Sequence, residues 1–188
     1  MSSPPPDSDR VLRDTLRWLE RAVIGLNLCP FAKAALRKSQ IRMVTSDAQD
    51  TDALIVALSA ELQLLRDSEA ATIDTTLLIH PSVLNDFLDY NAFLAKADRV
   101  VEKLGLLGVI QIASFHPEYA FADCATDAIE NYTNRSPYPM LHLLREESVA
   151  KAIEAFPEAD LIYERNITTL RVLGKAGLET LLDTSTDD

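Results

Sequence analysis

Two hydrophobic periods alternate along this chain, and that alternation limits what it can fold into more than any single motif does. Leu12, Leu16, Leu19, Val23 and Leu26 step by four and three, which lines one face of an amphipathic helix. The tract Ile41–Thr45 then reads as a short strand. Helical spacing returns over residues 52–65 through Leu54, Leu58, Leu62 and Leu65, and Thr75–Ile79 is again strand-like in its Thr, Leu and Ile. A long helix is expected over residues 82–104, with Ser82 as its N-cap and Gly105 as its stop.

Residues 109–115 carry the strongest strand signal in the chain. Residues 127–130 have the form of a capping box opening a brief helix, which the prolines at 137 and 139 end. A fourth strand is expected over 140–144 and helices over 148–156 and 157–173, the last stopping at Gly174 before a terminal piece at 178–182. Strands separated by helices of this length favour an α/β fold, a single layered domain with about four strands, at least partly parallel, alternating with helices. The Pro-, Ser-, Thr- and Asp-rich ends, 1–8 and 184–188, read as tails around a domain of residues 9–183.

Composition removes several classes of function. A formal charge of −11 argues against nucleic acid as a partner, since phosphate binding needs a basic surface. Arg37, Lys38 and Arg42 cluster, but three charges suit a solvated face. No apolar run approaches the roughly 20 residues of a membrane helix, and the start MSSPPPDSDR has neither the basic end nor the apolar centre of a signal peptide. A cytoplasmic protein is expected, in which the two cysteines, Cys29 and Cys124, are reduced thiols.

Reactive side chains crowd residues 111–145, where Asp123, Glu130, Asn134 and Arg135 mix with Phe115, Tyr119, Phe121, Tyr132 and Tyr138 as in a lined cavity. About 25 residues of that tract have little regular structure, and a loop so long is usually functional. Two strands end in His-Pro, at His80 and His116, and parallel strands would bring both imidazoles to the carboxyl edge of the sheet, where α/β proteins bind ligands. Neutral imidazole serves as an acid, a base or a metal ligand. The alternative is that each His caps its strand by bonding a loop carbonyl while Pro stops the sheet.

In Leu26-Asn-Leu-Cys-Pro-Phe31, Pro30 suits a first helical position, which makes Cys29 the N-cap of a new turn and its thiol a nucleophile favoured by the helix dipole. Between Pro137 and the Glu130 turn, Arg135 can grip a carboxylate or phosphate with two prongs, or else pair with Glu130 or Asp123. His142 reads as a core histidine or a third imidazole, and Arg145 and Glu164-Arg165-Asn166 as groups at element ends. Glycine-rich phosphate loops, GxSxG, HExxH and CxxC are all missing, and five glycines leave no nucleotide-cofactor fingerprint.

Trp18-Leu19-Glu20, Leu26-Asn-Leu-Cys-Pro-Phe-Ala32, Ser114-Phe-His-Pro117, Glu130-Asn-Tyr-Thr-Asn-Arg-Ser-Pro-Tyr-Pro139 and Glu164-Arg-Asn166 together resemble an uncharacterised bacterial family of this length, a domain of unknown function. The resemblance spans roughly residues 15–175 and implies one compact cytosolic domain; it carries no activity.

Three readings follow. The first is an enzyme on a small, anionic molecule, a hydrolase or transferase, with Cys29, His80 and His116 catalytic and with Arg135, Asn134, Tyr138, Glu130 and Arg165 binding substrate. The second is a metal protein in which His80 and His116, with Asp123, Cys29 or His142, hold a divalent ion. In the third the polar tract only braces a long loop of a binding domain.

Overall fold

The computed structural model describes residues 7–156, 158 and 161–182; the ends read above as tails fall largely outside them. Helix α1, Ser8–Trp18, opens on Asp7, whose carboxylate accepts the Asp9 N–H at 3.3 Å, so Asp7 and Ser8 belong to the domain and not to a tail. The helix expected to run on to Leu26 changes character at Leu19. Leu19–Ile24 is a π-helical turn, and the chain then reverses at Asn27, which adopts φ 55. Helix α2, Ala32–Arg37, follows and leads into β1, Ile41–Thr45.

Helix α3, Thr51–Asp67, is capped by Asp50, whose carboxylate takes the Ala53 N–H at 2.8 Å. Strand β2, Thr75–Ile79, is buried at every residue. Helix α4, Phe87–Lys103, begins at Asp86 and not at Ser82, because Leu84 sits at φ 60 and breaks any helix through it. The Asp86 carboxylate accepts the N–H groups of Leu88 and Asp89 at 2.8 and 3.1 Å. Strand β3 is Ile110–Phe115 and β4 is Met140–Arg145.

Between β3 and β4 the only regular turn is a 3₁₀ segment, Ile129–Thr133, entered from Ala128 without a side-chain cap, so Asp127 opens no capping box. Helix α5, Glu146–Glu154, starts directly from β4, two residues ahead of Ser148. Helix α6, Ile162–Leu182, breaks at Gly174, where φ 72 with ψ 167 is a conformation essentially confined to glycine. Gly174 thus interrupts the helix as expected, but the helix resumes beyond it. Pro157, from which that helix was expected to start, lies outside the described residues.

The sheet order is β1-β2-β4-β3, with β1 parallel to β2 and β4 antiparallel to both neighbours. Strands β2 and β3 therefore run the same way with β4 between them, and the class is α/β with a mixed sheet. Alternation sends Leu78, Leu141 and Leu143 to one face, where the α3 stripe of Leu54, Leu58, Leu62 and Leu65 and the α4 residues Phe93, Ala97 and Val101 cover them. Leu77, Ile79 and Met140 point the other way, beneath Val11, Trp18, Leu19 and Ala22. Burying each such leucine is worth about 1.5–3 kcal/mol, so the stripes legible in the sequence hold the layers together. Arg145 closes the far end: its guanidinium donates to the carbonyls of Leu65 and Ser68 at 2.5 Å and of Ile73 at 3.1 Å, gathering carbonyls at and beyond the C-terminus of α3.

Candidate functional site

His80 and His116 follow the last residues of β2 and β3 and so stand at one edge of the sheet, both fully buried. Tyr90 of α4 fills the space between them, its ring 5.8 Å from the first imidazole and 5.0 Å from the second. Three of their four ring nitrogens are spent on the chain. His116 Nδ1 accepts the Glu118 N–H at 3.0 Å, which puts its proton on Nε2, facing the Leu84 carbonyl at 3.2 Å. His80 Nδ1 donates to the Val83 carbonyl at 3.0 Å, and its Nε2 has no partner among the described residues.

The pair thereby clasps the turn at 81–84 and holds Leu84 in its left-handed conformation. Burial lowers both affinities for a proton, that of His80 to about 4. The Tyr90 hydroxyl donates to the Met140 carbonyl at 2.8 Å and accepts the Phe115 N–H at 3.2 Å, at the end of the β3–β4 ladder. Burial raises its pKa above the ordinary phenol value. Sequence reading passed over Tyr90, whose one signal is its place on the buried stripe of α4.

The polar tract turns inward on its own loop. Asn131, fully buried, accepts the Phe121 N–H at 3.0 Å and donates to the carbonyls of Ala125 and Thr126 at 2.8 and 3.2 Å. Arg135 donates to the carbonyls of Tyr119 at 3.3 Å and Thr126 at 2.7 Å and lies 4.4 Å over the Tyr132 ring, so it pairs with neither Glu130 nor Asp123. Glu130 meets Arg171 instead, at 2.5 Å. Asn134 donates to the Ser114 carbonyl at 3.1 Å. The Tyr138 hydroxyl donates to Asp14 Oδ2 at 2.7 Å, and burial together with that carboxylate pushes its pKa up to about 12.

Cys29 lies elsewhere. The expected N-cap is displaced, since α2 begins at Ala32 with Phe31 in the capping position, and the dipole argument for a nucleophilic thiol does not apply. The wider π-turn sets its position, because the Val23 carbonyl accepts the N–H groups of Leu28 and Cys29 at 2.9 and 3.4 Å. A Cβ on Gly25 would come within 2.2 Å of the Arg21 carbonyl oxygen, so the turn requires glycine there. Cys29 is half-buried on the wall of a cavity of about 810 Å³, among Val23, Phe115, Phe121, Asn134, Ile153 and Asn166. Phe115 belongs to the α1 face of the sheet, whereas His80 and His116 meet Tyr90 on the α4 face. The thiol and the two imidazoles thus occupy opposite faces.

A second cavity, about 410 Å³, adjoins the first and is bordered by Asn27, Pro30, Phe156, Arg165 and Thr169. Arg165 pairs with Glu158 and stacks over Phe156. Asn166 borders both spaces and donates to the Leu28 carbonyl at 2.8 Å. The residues considered for a metal do not gather. His142 lies on the α1 face beside Phe115, with Nε2 2.7 Å from the Thr75 hydroxyl, and Asp123 is exposed on the loop. Among the described residues no three His, Cys, Asp or Glu side chains are placed to hold an ion. Nor is any helix among them long and apolar enough to cross a membrane.

Fold and site together define an α/β domain with a cysteine-bearing cavity set between the π-turn and the C-terminal helix. The chain belongs to a family described as protein of unknown function (DUF1415), whose model matches residues 10–180. No curated protein and no solved structure matches it.

Proposed function

We propose that the chain takes a small molecule into the cavity beside Cys29 and that the thiol is the reacting group, in a hydrolase or transferase reaction. The observation that supports this is convergence. Residues drawn from 23–31, 115–134, 149–153 and 162–166, far apart in sequence, line one space of about 810 Å³, within the range of ligand pockets and largely apolar as such pockets are. His80 and His116 have no part in this chemistry and serve instead to hold the turn before α4. With Arg135 bound to its own loop, the anionic ligand expected from it loses its reader. We place the protein in the cytoplasm, a setting that suits two free cysteines.

A non-catalytic binding domain is the second reading, and one observation favours it: no His, Asp, Glu, Lys or Arg is among the described residues lining the Cys29 cavity, where the Tyr163 phenol alone accompanies the thiol as a titratable group. Iodoacetamide labelling with intact-mass readout, in the presence and absence of bound compounds, tests the site. Preferential, ligand-protected labelling of Cys29 over Cys124 is expected, and a Cys29 that labels no faster than Cys124 and is never protected would remove the proposal. Cys29→Ser then separates the two readings, since a catalytic thiol loses turnover while a wall residue keeps binding intact.

A further inference from the structure

The two cavities share a partition. Along segment 26–31, Leu26, Asn27 and Pro30 face the smaller space, while Leu28, Cys29 and Phe31 face the larger. Ile162 and Asn166, one helical turn apart on α6, border both, and the Asn166 to Leu28 hydrogen bond of 2.8 Å spans the divide. The walls differ in chemistry. Phe115, Phe121, Val149 and Ile153 make the larger cavity apolar, whereas Asn27, Asn166, Thr168 and Thr169 offer amides and hydroxyls to the smaller.

We infer that the two spaces are subsites of one bipartite site for a two-ended molecule. Its apolar body lies beside Cys29, and its head, an uncharged hydroxyl or amide, lies against Asn27, Asn166 and Thr169. This deepens, and rests on, the reading of the Cys29 cavity as a binding site. Charge sets the nature of the head. Glu164 and Arg165 both border the smaller cavity, Arg165 is already matched by Glu158, and two carboxylates against one guanidinium leave the rim negative on a chain of charge −11. An anionic head would meet that field unfavourably. Asn166, placed at the junction, determines how far a molecule extends from one space into the other.

The one tryptophan supplies a reporter, because Trp18 packs edge-on against Phe115, 5.5 Å between ring centroids, and Phe115 is a wall of the larger cavity. The experiment titrates the whole chain with 4-phenylbutanamide, 4-phenylbutanoate and butylbenzene, following Trp18 fluorescence and protection of Cys29 from iodoacetamide. The amide is expected to bind about tenfold more tightly than butylbenzene, the gain of a hydrogen-bonded head. Thr169→Val, which keeps the side-chain shape, is expected to remove most of that gain and leave butylbenzene unchanged. Equal binding of the amide and butylbenzene, or an amide indifferent to Thr169→Val, overturns the bipartite site but leaves the cavity reading standing. Tightest binding by the carboxylate overturns the uncharged head. Silence from all three compounds in both readouts overturns this inference and the cavity reading together.

Discussion

Asn166 donates its amide to the carbonyl of Leu28 at 2.8 Å, across 138 positions of sequence, and this contact fixes α6 against the loop that presents Cys29. The π-turn holds the same loop from the other side through the Val23 carbonyl. Cys29 is therefore positioned by two elements that the sequence does not connect.

Asn166→Ala removes that contact and leaves the Leu28 carbonyl without its partner. A stability loss of about 1 kcal/mol is expected in urea denaturation, the net worth of one hydrogen bond. Alkylation of Cys29 should also accelerate relative to Cys124. An unchanged ratio of the two labelling rates would mean that Asn166 does not restrain the Cys29 loop.

Tyr90→Phe deletes the hydroxyl that joins Met140 of β4 to Phe115 of β3 and takes the partner from a buried carbonyl and a half-buried N–H at once. The cost should exceed that of Asn166→Ala, at about 2–4 kcal/mol, because two groups lose a partner and the Met140 carbonyl is stranded away from water. Equilibrium urea curves on the two variants make the comparison; equal midpoints would show that the phenol does not bind the strand ends together.

His80 accepts a proton less readily folded than unfolded, its value falling from 6.5 to about 4 through burial. A lowered folded value means that the unfolded chain binds the proton first. Stability is then unaffected by this group above pH 6.5 and is lost as pH falls toward about 4, by about 3 kcal/mol in all. His80→Asn keeps a donor toward Val83 but cannot take up the proton, so its urea midpoint should fall less steeply than the parent's between pH 6.5 and 4.5. Parallel pH profiles for the two proteins would contradict the burial account.

Asn131→Ala frees the amide of Phe121 and the carbonyls of Ala125 and Thr126. Hydrogen exchange at Phe121 should rise at least about tenfold while amides in β2 exchange as before, since a local opening costs less than global unfolding. Uniform acceleration across the sheet would instead make Asn131 part of the global core.

Much of the layer structure was legible in short-range pattern. The stripe Leu54, Leu58, Leu62, Leu65 predicts α3, and the run Thr75–Ile79 predicts β2, because period and β-branching act between near neighbours. His80 and His116 share an edge as their His-Pro endings suggested, but one nitrogen of each is bound to a loop carbonyl, of Val83 or Leu84. Residue type and a proline-stiffened loop suggest Arg135 and Tyr138 as binding groups, but their partners, two carbonyls and Asp14, are invisible in the sequence because each hydrogen bond depends on how the loop folds back.

By itself, then, the sequence determined which segments are helices and strands, which faces are apolar, and that reactive side chains cluster before β4. The tertiary structure alone decided that β4 enters between β2 and β3, that Cys29 and the histidines fall on opposite faces, and that α6 closes a cavity over the thiol. The physical reason is range. Hydrophobic period is a property of neighbouring residues, whereas strand order and cavity walls arise from contacts between distant segments, whose closure entropy and packing no local pattern records.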